Sequence, residues 1–333
     1  LGSKGNGTGP MTVLQIAAVL IVLAGAFGAI NYLFLKLPSS IGILVVALLS
    51  SLAVIGLDYV LPGPAISAAI RAEVTAWEFS DALLEGMLGL LLFAGALHVK
   101  LSDLRRQWRP VFLMATIGVA LSTAIVGVGF SWITGLPLLT AMVFGALISP
   151  TDPVAVLGVL RSANLRRSLE TKIAGESLFN DGVGYVVFLV LVGLAFPAED
   201  SSGSGLSDAA LLFFQEAVGG AVLGAVLGWL TFRVMRRIDD YALEVLLTLG
   251  LAFGGYELAV WLHLSAPITA VVAGLLIGDI GAKHGMSAQT RDYVDAFWKL
   301  IDEILNAVLF LMIGVEVFAI AFSMDAAVAG ALS

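Results

Sequence analysis

The residues best suited to chemistry in this chain are two acids, a hydroxyl and an amide at helical spacing. Glu176, Ser177, Asn180 and Asp181 lie within Gly175-Glu-Ser-Leu-Phe-Asn-Asp-Gly182. Glu176 and Asn180 are four apart, as are Ser177 and Asp181, so a helix projects all four from one stripe. The segment that follows, Val183 to Phe196, carries no charge. An ionisable group at membrane depth costs about 3 kcal/mol on insertion scales and by default marks an ion or proton pathway.

A second anomaly lies upstream, where Ser149-Pro150-Thr151-Asp152-Pro153 interrupts another apolar stretch. Each proline removes a backbone donor and clashes one turn back, and Ser149 and Asp152 are pushed away from helical angles. The helix is therefore expected to unwind near 149–153 and expose carbonyl oxygens. Such backbone is tolerated at membrane depth where it is buried or lines a cavity. Carboxylate, hydroxyl and carbonyl oxygens suit a hard cation. A sequestered carboxylate at 181 can hold a proton or a metal ion, and the two compete. The structural alternatives are that Asp152 caps a short helix opened by Pro153, and that the stripe is a polar network locking helices together, with Asn180 as its amide. Gly175, Gly182 and Gly184 leave neighbouring segments room to approach.

These residues must be positioned by membrane-spanning helices. The chain is 59% hydrophobic and 13% charged, too apolar for an ordinary soluble protein. Ten segments approach the length needed to cross a core of about 30 Å. They lie near 12–36, 39–60, 80–99, 110–134, 137–160, 172–196, 208–234, 241–262, 265–280 and 298–322; residues 1–10 read as a Gly-rich tail. The net charge of −8 disfavours nucleic acid. The absence of cysteine excludes disulfides and thiolate metal sites. The three histidines, His98, His263 and His284, have no metal-ligand spacing.

With ten spans, every Lys and Arg except Lys4 and Arg71 falls in loops on one side. The positive-inside rule makes that side cytoplasmic and puts the N-terminus outside. Leu35–Leu49 aligns with Leu262–Leu276 at six identical positions, in opposite orientation across the membrane. Inverted repeats mark secondary transporters, whose sites sit on broken helices at the repeat interface. The expected division is one transmembrane domain over 11–333. It holds a first repeat at 12–196, a linking span at 208–234 and an incomplete second repeat at 241–333, so the chain reads as a C-terminally truncated piece.

Weaker candidates are Glu85, Glu257, Glu303, Asn306 and Glu316, in or near spans, and His98 at a membrane interface. Gly220, Gly224 and Gly228 form a small-residue stripe that serves close helix packing or a dimer face.

At Ile148-Ser-Pro-Thr-Asp-Pro-Val-Ala-Val-Leu157, Gly175–Gly182, Ser265–Gly274 and Phe297–Glu316 the chain resembles the monovalent cation:proton antiporters of the sodium/proton exchanger type. The resemblance implies an all-α polytopic membrane protein, with about ten spans here of a thirteen-span inverted-repeat fold. It also implies a homodimer, with a core domain moving against a dimer domain in the plasma (inner) membrane. By the same resemblance Asp181 carries Na+ (or K+) or H+, with Asp152, Thr151 and Ser177 completing the site. Asn180-Asp181 implies electroneutral exchange, and Glu176 an Arg partner in an eleventh span. The transported ions and protons are the partners, and no cofactor is implied. The competing readings are a cation channel and a membrane aspartyl hydrolase using Asp152 and Asp181; no Gly-x-Gly-Asp signature supports the latter.

Overall fold

The computed structural model describes residues 12–60, 70, 81–152, 167–196 and 206–317. Among them the regular structure is helical, as lipid demands of a spanning chain that must satisfy its own backbone. The helices are α1 (Val13–Ile30), α2 (Ser39–Val60), α3 (Asp81–His98), α4 (Leu101–Arg106), α5 (Trp108–Leu113), α6 (Val119–Thr134) and α7 (Leu138–Ile148). After these come α8 (Arg167–Ala195), α9 (Leu206–Met235), α10 (Tyr241–Trp261), α11 (Ala266–Leu276) and α12 (Ala288–Glu316). Wider turns at Asn31–Leu35, Met114–Gly118 and Ile277–Gly281 extend α1, join α5 to α6, and extend α11.

A helix stands at each of the ten expected places. Seven are long and apolar enough to cross a membrane: Leu14–Leu35, Ser39–Asp58, Trp108–Thr134, Ser168–Ala195, Phe214–Met235, Tyr241–Trp261 and Ala266–His284. Gly86–His98 and Leu138–Ile148 are apolar but shorter. The last helix begins at Ala288, ten residues before the expected boundary. Its first turns carry Arg291, Asp292 and Asp295, which hydropathy excludes from a span although the helix runs through them.

The chain divides into two units. In the first, α1 and α2 are joined by a tight corner. Asn31 is 4% exposed; its amide donates to the Leu37 carbonyl at 2.9 Å and accepts from the Leu37 amide at 3.1 Å. A Cβ on Gly42 would overlap the Asn31 side chain. Ser51 donates to the Gly314 carbonyl at 3.0 Å, and Ala47 packs where Gly314 has no side chain. These contacts hold α2 to the end of α12.

The second unit runs from Gly86 to Asp302. Here the glycine stripe of α9 resolves to close packing within the chain. A Cβ on Gly220 or Gly224 would meet the carbonyl oxygen of Ser265 or Thr269 at 2.5 Å, so α9 and α11 touch backbone to backbone. Thr269 adds a hydrogen bond to the Gly220 carbonyl at 3.0 Å. Ser265 caps α11 and Pro267 lies in its first turn, a pairing suited to a helix start. Gly274 and Gly278 press α11 and its extension against Phe93 and Leu97 of α3.

Candidate functional site

The site forms where α7 stops. Its helix ends at Ile148, and residues 149–152 belong to no helix. Ser149, expected to leave helical angles before Pro150, keeps them at φ −73° and ψ −35° as the cap of α7, so the break falls after it. Residues 153–166, which include Pro153, the helix expected to follow it and the rest of the span expected to reach 160, lie outside the described residues. Ser149 secures the break from below. It donates back to the Gly145 carbonyl at 2.6 Å and accepts from Thr123 of α6 at 3.1 Å. Close approach of α6 and α7 makes this possible, because a Cβ on Gly145 would meet the Thr123 carbonyl at 2.5 Å. Pro150 lies against Gly184, where any side chain would collide with the ring.

The stripe on α8 turns toward the broken backbone. Ser177 donates to the carbonyl oxygen of Thr151, an oxygen released when the helix ends. Asn180 has no exposed surface. Its Nδ2 donates to Glu176 Oε1 at 2.7 Å and to Thr151 Oγ1 at 2.9 Å. The Thr151 hydroxyl in turn donates to the Glu176 carboxylate at 3.3–3.4 Å. Two acceptors on Nδ2 fix the orientation of the amide, which points Oδ1 away from them. That oxygen is buried and meets no hydrogen-bond donor.

Asp181 is half-buried on the same helix, while Thr151 and Asp152 are exposed at the break. The charges of Asp152 and Glu176 are both close enough to act on Asp181. Three carboxyls therefore share one corner of the fold, and Asp152 has interactions of its own. Such a corner favours whatever neutralises it, whether protons or a small cation. Its oxygens are of mixed kind, comprising carboxylates, hydroxyls, a main-chain carbonyl and the orphan amide oxygen of Asn180. That donor set suits a hard ion.

All six residues singled out from the sequence thus meet at one place. Thr151, Glu176, Ser177 and Asn180 are joined by hydrogen bonds, and Asp152 and Asp181 by charge. Glu176 is held by neutral donors, Asn180 and Thr151. Thr123 escaped the sequence reading; nothing in the local pattern marks it, because its partner is 26 positions away. The weaker candidates Glu257, Glu303 and Glu316 are exposed, Asn306 is buried, and the side chain of Glu85 lies outside the described residues. His98 is exposed, with Nδ1 2.7 Å from the Ala94 carbonyl.

The family profile described as "Sodium/hydrogen exchanger, transmembrane" matches residues 13–332. The Na(+)/H(+) antiporter NhaP of Pseudomonas aeruginosa is 48% identical over 318 residues, covering 93% of this chain and 74% of that protein. The Na(+)/H(+) antiporter NhaH of Halobacillus dabanensis is 35% identical over 300 residues, covering 90% and 72%. In fold, the chain is similar to the sodium proton antiporter MjNhaP1 from Methanocaldococcus jannaschii at pH 8, with a TM-score of 0.69 at 22% identity. That likeness covers 91% of this chain and 69% of the other.

Proposed function

The chain belongs to the sodium/hydrogen exchanger family, and from that premise we propose that it is an integral membrane antiporter exchanging Na+ (or K+) for H+. The carrier is the Asp181 carboxyl. The observation supporting this reading is the placement of Asp181 beside Asp152, where the end of α7 meets the polar stripe of α8.

The sequence of events follows from electrostatics. With three carboxyls in one corner, adding a full negative charge at Asp181 is unfavourable unless a cation arrives with it. A proton on the carboxyl satisfies this, and so does Na+ drawn by Asp152 and Asp181 and wrapped by the oxygens of Thr151 and Ser177. Binding of one expels the other, so the two ions cross by turns on a single acid. One proton for one cation leaves the charge of the carrier unchanged in each half-cycle, and exchange is electroneutral. Glu176, Asn180 and the Thr151 hydroxyl hold the break in register with α8.

The basic loops face the cytoplasm in this reading, and the protein works as a homodimer in the plasma membrane. The charge distribution supports the first part.

The test uses the full-length protein in proteoliposomes with an imposed pH gradient. Added Na+ should drive proton efflux insensitive to a clamped membrane potential, and Asp181→Ala should abolish it. Undiminished exchange in that variant defeats the assignment, and cation current without proton movement indicates a channel.

A further inference from the structure

The two faces of α9 differ in kind. Gly220, Gly224 and Gly228 lie against α11. Val222, Val226 and Leu230 recur at the same interval about half a turn away, and all three are exposed. Trp229 and Val234 widen this exposed apolar stripe. The helix is long and apolar enough to cross a membrane, so acyl chains are the medium this stripe meets.

Three arginines close the stripe. Arg233 lies about three turns after Val222 on the same face, and Arg236 and Arg237 follow within a turn. The chain stays tightly coiled through them, the Arg236 amide donating to the Phe232 carbonyl at 3.1 Å and the Arg237 amide to that of Val234 at 2.9 Å. All three side chains are exposed. Arg233 lies over the Trp229 ring at 5.4 Å and Arg236 over the Phe232 ring at 5.7 Å. Neither ring takes up the N–H fork of the guanidinium, which matches a phosphate with two bonds. The acids next in the chain are engaged elsewhere. Asp239 accepts from Thr290 at 3.3 Å. Asp240 accepts from the Leu243 amide at 3.0 Å as the cap of α10, whose first turn encloses Glu244. Among the described residues Arg233, Arg236 and Arg237 form no ion pair. Other basic groups lack this combination, since Lys283 pairs with Asp279 and the Nε of Arg291 is buried.

We propose that the end of α9 binds an anionic phospholipid. Arg233 and Arg237 hold its phosphate, and its acyl chains lie along Val222, Val226 and Leu230. Trp229 stands at headgroup depth, where an indole favours the interface, and Arg236 adds charge at the rim. A zwitterionic lipid offers the same phosphate but carries its own cation beside it, so charge complementarity selects the anionic class. A second copy of this chain related by a twofold axis would set these arginines against their own counterparts, and like charges oppose that occupant. The inference needs α9 to span the membrane and does not rest on the exchange reading.

The full-length protein in a neutral detergent is melted with increasing phosphatidylglycerol, or with phosphatidylcholine of the same chains. The forms compared are wild type, Arg233→Gln/Arg237→Gln, and Arg105→Gln/Arg106→Gln as a control of equal charge on the exposed arginines of α4. Phosphatidylglycerol should stabilise wild type more than phosphatidylcholine does. In Arg233→Gln/Arg237→Gln the concentration giving half of that stabilisation should rise about fivefold for each arginine lost, roughly twenty-five-fold in all. The control should match wild type. Equal stabilisation of wild type by the two lipids, or an equal loss in the two double variants, overturns the site. If inorganic phosphate alone reproduces the shift, the arginines bind a free anion and lipid is not the occupant. If Arg233→Gln/Arg237→Gln changes the oligomeric state and leaves the lipid response intact, a second copy covers this face and the proposal fails. Native mass spectrometry of wild type from an equimolar mixture of the two lipids needs no variant: phosphatidylglycerol should be the lipid retained, and equal retention refutes the proposal.

Discussion

The Asn180 amide donates to the Glu176 carboxylate at 2.7 Å, one turn back along α8. Its other amide hydrogen reaches Thr151 at 2.9 Å, across the break in α7. One side chain therefore ties the polar stripe of α8 to the unwound segment and donates to the Glu176 carboxylate. Asn180→Ala should lower stability by about 1.5–3 kcal/mol, the range for a lost hydrogen bond to a charged group. Asn180→Asp cannot donate to Glu176 when ionised and adds a fourth carboxyl to the corner. Its melting temperature should fall furthest below wild type at neutral pH and recover on acidification. A pH-independent deficit in Asn180→Asp contradicts this account.

The chemistry here was legible because it is written locally. Prolines at 150 and 153 announce a helix break, and the four-residue spacing of Glu176 with Asn180 announces a stripe. Both rules operate within one turn of chain. What the sequence withheld depends on partners far along it. Thr123 meets Ser149, and the stripe glycines of α9 meet α11, only after folding. Glu244 was passed over for another reason. An acid near a helix start reads as favourable to the dipole and facing water, and only the folded chain reveals that it is enclosed. The early start of α12 was missed because hydropathy registers the apolar half of an amphipathic helix and overlooks the charged turns before it.

Pro150 and Gly184 set how closely the break approaches α8. A Cβ at 184 would occupy the space of the proline ring, and the ring has no soft end to move. Gly184→Ala should therefore push Thr151 and Asp152 away from Asp181 and reduce exchange at least tenfold, with expression and melting only modestly lowered. Gly193→Ala is the matched control on the same helix, since nothing lies within 4 Å of its Cβ position. Equal exchange rates in the two variants exclude a positioning role for this contact.

The stripe on α9 invites a comparison of glycines by environment. Gly220→Ala and Gly224→Ala force the backbones of α9 and α11 apart, and overpacking of this kind costs about 1–3 kcal/mol. At Gly250 and Gly254 of α10 an added Cβ meets nothing within 4 Å. Alanine there should stabilise by up to about 1 kcal/mol through helix propensity alone. Thermal melts of the four variants should separate into two pairs of opposite sign. A common sign for all four removes the stripe from the packing of α9 on α11.

Asp295 gives a pH dependence whose sign is fixed by burial. Burial is the largest influence on this carboxyl and raises it above the ordinary value, with His98 and Arg291 opposing and Asp292 assisting. A carboxyl raised in the folded state binds its proton more tightly there than in the unfolded chain. Its contribution to stability is then fully present below the ordinary carboxylate range and disappears as pH rises through the folded value. The melting temperature of the wild type should decline across that window, and Asp295→Asn, which keeps the shape and cannot ionise, should show a shallower decline. His98→Gln removes a group that favours the ionised form, so it should steepen the same decline. Opposite changes of slope in the two variants tie the Asp295 carboxyl to the charge of His98, whereas unchanged slopes in both would mean that α3 and α12 meet without electrostatic consequence.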